Sequence, residues 1–138
     1  MGLSVLIAGG GTGGHLYPGI AVARELLARV PEADVTFVGT AAGIEARVVP
    51  REGFALDVIR SVGLKGRSAQ SIALGIALLP VSAGDAWRVI TCRRPAGVVG
   101  VGGYSSGPVV LLAALRGIPT LLMEQNAMPG ITNRLLAP

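Results

Sequence analysis

The chain has a single cysteine, a single histidine and few aromatic residues, which make up 4% of its 138 positions. With Cys92 alone, an intrachain disulfide and a cysteine-built zinc site are both excluded, and a reducing compartment is the natural setting. So few aromatic rings argue against a stacking surface for single-stranded nucleic acid. Charged residues are sparse at 14%, whereas hydrophobic residues reach 51% and the mean hydropathy is +0.62. Such a chain can bury a sizeable core and does not read as disordered. The amino terminus, MGLSVLIAGG, lacks the basic region of a signal peptide, and its apolar run is too short for one. Leu6 stands where a myristoylation signal needs Ser or Thr. Two stretches without charge, 68–84 and 95–115, are broken by glycines and prolines. Neither is expected to form the roughly 20-residue apolar helix that crosses a membrane.

The charge that is present is unevenly placed. Arg60, Lys65, Arg67, Arg88, Arg93 and Arg94 lie between positions 58 and 95, against Asp85 alone. That segment carries a net +5 where the whole chain carries +4. A local basic surface points to an anionic partner: a phospholipid surface, a pyrophosphate or a nucleic acid.

The runs LSVLIA (3–8), VTFVG (35–39), FALDVI (54–59), AGVVGVG (96–102) and PTLLME (119–124) read as strands. Helical patterns separate them. Ile20, Ala23, Leu26, Leu27 and Val30 recur at helical spacing, with Pro18 suited to a first turn. Residues 44–51 read as a short helix, and 69–91 as a helical stretch interrupted near Pro80. Ser105 or Ser106 can cap a helix running to about Leu115, and a last short helix follows Pro129. Alternating strands and helices with continuous apolar strands predict one α/β domain, a Rossmann-like parallel sheet covered on both faces.

The first strand runs into IAGGGTGGHLYPG, where Gly9, Gly11 and Gly14 fit the G-x-G-x-x-G spacing. Glycines allow a tight turn, and the following helix offers N–H groups and a positive dipole end to a phosphate. A dinucleotide site also needs an acid at the end of the second strand to hold the ribose. That strand ends in Gly39-Thr40; Asp34 precedes it and Glu45 comes only after a further turn. A nicotinamide or flavin cofactor is therefore not expected, and no Gly-Lys-Ser/Thr completes a P-loop. His15 sits at the helix amino terminus, where N–H dipoles disfavour the imidazolium. From the residues alone it is either a turn cap or partner of Tyr17, or a general base.

Two further motifs fall at carboxyl ends of strands, where open parallel sheets bind ligands. VGVGGYSSGPVV (99–110) is a second glycine loop, and LMEQNAMPGITN (122–133) brings Glu124, Gln125 and Asn126. The carboxylate and amides suit sugar hydroxyls, or else Glu124 pairs with a rim residue and Asn126 makes a turn. In the basic segment, Lys65 and Arg67 precede and Arg88 follows the apolar Ile72, Ile76, Leu79 and Trp87. These side chains either form a patch that docks on anionic lipid without spanning it, or fill the core.

Taken together, GGGTGGHLYPGIAVA, GVGGYSSGPVVLLAA and EQNAMPGITNRLLA resemble the MurG family of bacterial N-acetylglucosaminyltransferases in order, spacing and wording. GTAAGIEARVVPREGF and GLKGRS are similar to its intervening segments. The resemblance covers essentially the whole chain but only the amino-terminal half of that family. It implies a two-domain GT-B fold whose carboxyl-terminal domain, carrying most of the UDP-sugar site, is absent from this chain.

The reaction implied moves GlcNAc from UDP-GlcNAc to the C4 hydroxyl of lipid I, the lipid-linked muramyl-pentapeptide, giving lipid II with inversion. Direct attack by the acceptor hydroxyl needs a base, and the resemblance assigns that role to His15. It places Gly10, Gly11, Gly102, Gly103 and Tyr104 at the acceptor diphosphate. Thr12, Gly13, Gly14 and Asn126 fall near the donor, with Glu124 in support. Lys65, Arg67, Ile72, Ile76, Leu79, Trp87 and Arg88 become a peripheral docking patch at the cytoplasmic face of the inner membrane. No metal or cofactor is implied, since no Asp-x-Asp motif appears and fixed N–H dipoles can stabilise a diphosphate. The isolated domain is expected to be nearly inactive. An alternative is a complete non-catalytic subunit that binds the lipid-linked acceptor and recruits a separate donor-binding chain.

Overall fold

The computed structural model describes residues 2–61, 68–103, 105–125 and 131–137, without the side chains of Ser71, Ile72, Leu74 and Ile131. In chain order the elements are β1 (Ser4–Gly9), α1 (Gly13–Arg29), β2 (Asp34–Gly39), α2 (Glu45–Arg51), β3 (Ala55–Val58), α3 (Ala69–Ala77), α4 (Leu79–Arg93), β4 (Gly97–Gly102), α5 (Ser106–Leu115), β5 (Thr120–Leu122) and α6 (Ile131–Leu136). The strands form one parallel sheet in the order β3-β2-β1-β4-β5. Parallel neighbours need crossovers, and the helices supply them on both faces. The expected Rossmann-like architecture is the one observed.

Side chains alternate across β1 and divide the core. Leu6 and Ala8 join Val89, Ile90, Val109 and Val110 under α4 and α5. Ile7 joins Leu16, Ile20, Phe37 and Val49 under α1 and α2. β1 and β4 lie at the centre, and β1 leads to α1 on one face while β4 leads to α5 on the other. The chain therefore parts at their carboxyl ends, the place where such sheets open a crevice.

Two local expectations change. Pro18 lies inside α1 and not in its first turn, because the helix already begins at Gly13. Neither serine at the start of α5 caps it: Ser105 holds the cap position without a side-chain bond, Ser106 is the first helical residue, and both are buried. The Ser106 hydroxyl is instead turned against Gly100 and has no hydrogen-bond partner among the described residues. The 69–91 stretch does break near Pro80, at Leu78, since the missing N–H of the proline cannot continue the ladder. Among the described residues, no helix is long and apolar enough to cross a membrane.

Candidate active site

The two glycine loops meet backbone to backbone. β1 and β4 slip register between Ala8 and Gly9, so Gly9 pairs with Gly102 and Val101 is passed over. The Gly10 N–H donates to the Gly102 carbonyl at 3.2 Å. A β-carbon on Gly9 would collide with that carbonyl, and one on Gly103 with the carbonyl of Gly10. Both glycines also have positive φ, 144° and 88°. The contact is thus open only to residues without a side chain.

His15 stands over this seam. A β-carbon on Gly102 would lie 2.8 Å from His15 Cδ2 and 3.1 Å from Nε2, so the imidazole packs on the bare Gly102 backbone. On its other side, Nδ1 is 3.3 Å from the Thr12 hydroxyl. The Tyr17 ring lies beside Gly13 and is half exposed. The His15 N–H bonds the Thr12 carbonyl at 3.2 Å, which closes the first turn of α1. The N–H groups of Gly13 and Gly14, also in that turn, have no partner among the described residues. They point a helix amino terminus at the rim, where an anion is favoured.

Glu45 is the residue that the sequence reading passed over. The first residue of α2, it is buried, and its carboxylate folds back under the first glycine loop. Oε2 accepts the Gly11 N–H at 2.8 Å, while Oε1 accepts the Thr40 N–H at 2.8 Å and the Thr40 hydroxyl at 3.1 Å. Of the loop glycines placed at the diphosphate, Gly10 and Gly11 therefore have their N–H groups engaged within the chain. A signal was present in GTAAGIE: β-carbons at Gly39 and Gly43, like one at Gly10, would collide with the carboxylate.

The third motif closes the rim. Gln125 Nε2 donates to the carbonyls of Gly14 and Val101, at 2.9 and 3.1 Å. Glu124 accepts from Asn133 Nδ2 at 3.2 Å, and the same amide donates to the Met123 carbonyl at 2.8 Å. Asn133 is buried and ties α6 to the end of β5. Tyr104 and Asn126 lie outside the described residues. The structure thus brings Gly10, Gly11, Thr12, Gly13, Gly14, His15, Gly102, Gly103 and the segment bearing Glu124 to one edge. Two cavities, of about 380 and 300 Å³, lie away from this edge, beside Arg88 and beneath β5.

The basic segment is partly neutralised. Arg60 grips Asp85 through both guanidinium and backbone N–H groups, each at 2.9 Å. Chiefly through the side-chain bonds, Arg60 holds the Asp85 carboxyl down at about 2. Arg93 pairs with Asp57 at 2.8 Å, and those bonds raise the Arg93 pKa. Arg88 and Arg94 make no ion pair among the described residues. Ile76, Leu79 and Trp87 are half exposed and so do not fill the core. Leu111 and Leu115 extend the exposed apolar surface onto α5, and Arg116 stacks 4.4 Å over Trp87. Lys65 and Arg67 fall outside the described residues, as does the side chain of Ile72.

The chain belongs to a glycosyltransferase family: the glycosyltransferase family 28 N-terminal domain matches residues 5–138. Within it, the chain is 52% identical over 134 residues to a Myxococcus xanthus protein and 50% identical over 136 residues to one from Syntrophus aciditrophicus. Both are named UDP-N-acetylglucosamine–N-acetylmuramyl-(pentapeptide) pyrophosphoryl-undecaprenol N-acetylglucosamine transferase. The alignments cover 97% and 99% of this chain but 35% and 38% of those proteins, so the chain spans little more than a third of their length. Acinetobacter baumannii MurG is 31% identical, with a TM-score of 0.80 over 98% of this chain and 38% of its own.

Proposed function

We propose that the chain is the acceptor- and membrane-binding domain of an inverting glycosyltransferase of peptidoglycan synthesis. It would act in transfer of GlcNAc from UDP-GlcNAc to the C4 hydroxyl of lipid I, giving lipid II. The observation that carries the reading is the seating of His15 between Thr12 and Gly102, on the seam of two glycine loops.

The chemistry follows from that seat. With its proton on Nδ1, the imidazole donates to the Thr12 hydroxyl and leaves the Nε2 lone pair open. Nε2 takes the acceptor hydroxyl proton as the oxygen bonds the anomeric carbon and the bond to UDP breaks. The N–H groups of Gly13 and Gly14, the α1 dipole and the Gly102–Gly103 loop with Tyr104 stabilise diphosphate charge. Thr12, Asn126 and Glu124 are assigned to the donor sugar by the family resemblance, with most donor contacts left to the part of the relatives that this chain does not span. No metal or cofactor enters this scheme. The exposed Ile76, Leu79 and Trp87 with Arg88 support peripheral docking at the cytoplasmic face of the bacterial inner membrane.

The test is the complete transferase carrying His15→Ala. Turnover is expected to fall by about 10²-fold or more. Near-normal turnover removes His15 as the base.

A further inference from the structure

Glu45 carries no catalytic role in the scheme above, yet the glycine loop is built around it. Its carboxylate is buried, pairs with no cation among the described residues, and is held by three donors from Gly11 and Thr40. Burying a carboxylate without a cation is costly unless hydrogen bonds meet its charge. Two of these donors are backbone N–H groups, one of a glycine loop and one of a strand end, the groups that such folds present to a ligand's phosphate. Gly10, Gly39 and Gly43 leave the room that the carboxylate occupies.

We propose that Glu45 is a resident anion of the glycine loop: a positioning residue for His15, and a block that keeps phosphate off Gly11 and Thr40. The positioning runs through short links. Glu45 fixes Gly11, Gly11 precedes Thr12, and the Thr12 hydroxyl and carbonyl both bond His15. The block leaves diphosphate to the N–H groups of Gly13 and Gly14, two and three residues further along. A nucleotide diphosphate laid on Gly10–Gly11, as in a dinucleotide fold, meets a fixed negative charge instead. The positioning role rests on the proposed transfer reaction; the block does not.

Two measurements separate them. In the 138-residue chain, amide spectra are followed while inorganic pyrophosphate or formate is added. In the wild type, the Gly11 and Thr40 amides are expected to stay in place. In Glu45→Ala both amides are expected to move, with anion affinity at that locus raised about tenfold by the vacated charge-assisted bonds. A folded Glu45→Ala chain whose Gly11 and Thr40 amides ignore both anions overturns the block. Should that variant not fold, Glu45→Gln keeps the volume but turns one acceptor into a donor. Pyrophosphate is then expected to move the Gly11 amide, and an unmoved amide overturns the block equally.

In the complete transferase, Glu45→Gln is expected to lower kcat about tenfold or more while donor KM stays within about twofold. Formate is expected to restore part of the turnover of Glu45→Ala and none of that of His15→Ala. Unchanged kcat in Glu45→Gln overturns the positioning role. Absence of any transfer by the wild-type enzyme would instead remove the transfer reading, and leave the anion titration to judge Glu45 by itself.

Discussion

The side-chain amide of Gln125 donates to the Gly14 carbonyl, the acceptor that Pro18 leaves without a helical partner. A helix carbonyl normally accepts from the N–H four residues on, and proline has none. The second acceptor of that amide, the Val101 carbonyl, belongs to the residue passed over in the β1–β4 register slip. One side chain thus serves two irregularities and ties the third motif to the other two. Removing it with Gln125→Ala is expected to cost about 1 kcal/mol of stability. In a Pro18→Ala background, where the N–H returns, the same change should cost measurably less. Denaturant unfolding of the four chains of this double-mutant cycle gives the coupling; strict additivity would show that Gln125 does not substitute for the missing bond.

Gly102→Ala is expected to push the imidazole of His15 from its seat, since the new methyl would lie 2.8 Å from Cδ2. The positive φ of Gly102, 98°, adds backbone strain. In the complete transferase a displaced base should lower turnover by about 10²-fold. The His15 ring resonances should shift in the isolated chain. Wild-type ring resonances would mean that the loop, and not the imidazole, gives way.

Stability should depend on Asp85 at acid pH. Its carboxyl lies near 2 in the folded chain, against an ordinary value of 3.8. A lowered carboxylate pKa favours the folded state above the unfolded value, and that contribution is lost as pH falls through the folded value. The shift corresponds to about 2 kcal/mol, which solvent screening at the exposed Arg60 guanidinium reduces to about 1. Asp85→Asn should therefore be less stable than wild type at neutral pH, with the gap closing between pH 3.8 and about 2. A constant gap across that window would assign the loss to packing.

Membrane docking should need both apolar bulk and charge. Trp87→Ser and Arg88→Glu are each expected to reduce flotation of the chain with vesicles rich in anionic phospholipid. Raised salt should weaken binding further, because interfacial charge attraction is screened. Binding indifferent to anionic lipid would exclude Arg88 from the interface.

Much of this was legible in the order of residues because the signals were local. Apolar runs at 3–8, 35–39 and 96–102 fall within a residue or so of β1, β2 and β4. The loops following β1 and β4 announced themselves by glycine. What stayed hidden depends on contacts between distant parts of the chain. Glu45 was passed over as a ribose acid because it lies a turn beyond β2; only the fold brings it beneath Gly11, 34 positions away. Asn133 reaches Glu124 only once α6 is laid against β5. Ser105 and Ser106 carry the composition of caps, but both are buried, Ser106 against Gly100, and that overrides the preference. The basic segment likewise overstated its surface charge, because Arg60 and Arg93 found carboxylates that composition does not pair with them.

β1 has a strand on either side, β2 and β4, and a packed helical layer above and below. Its amides should therefore be among the last to exchange with solvent deuterium, opening only with global unfolding. The first glycine loop hangs directly from that strand, and its Gly10 and Gly11 N–H groups are already bonded. A ligand arriving at this edge meets a surface whose conformational entropy was surrendered during folding, so little of its binding energy goes into ordering the loop.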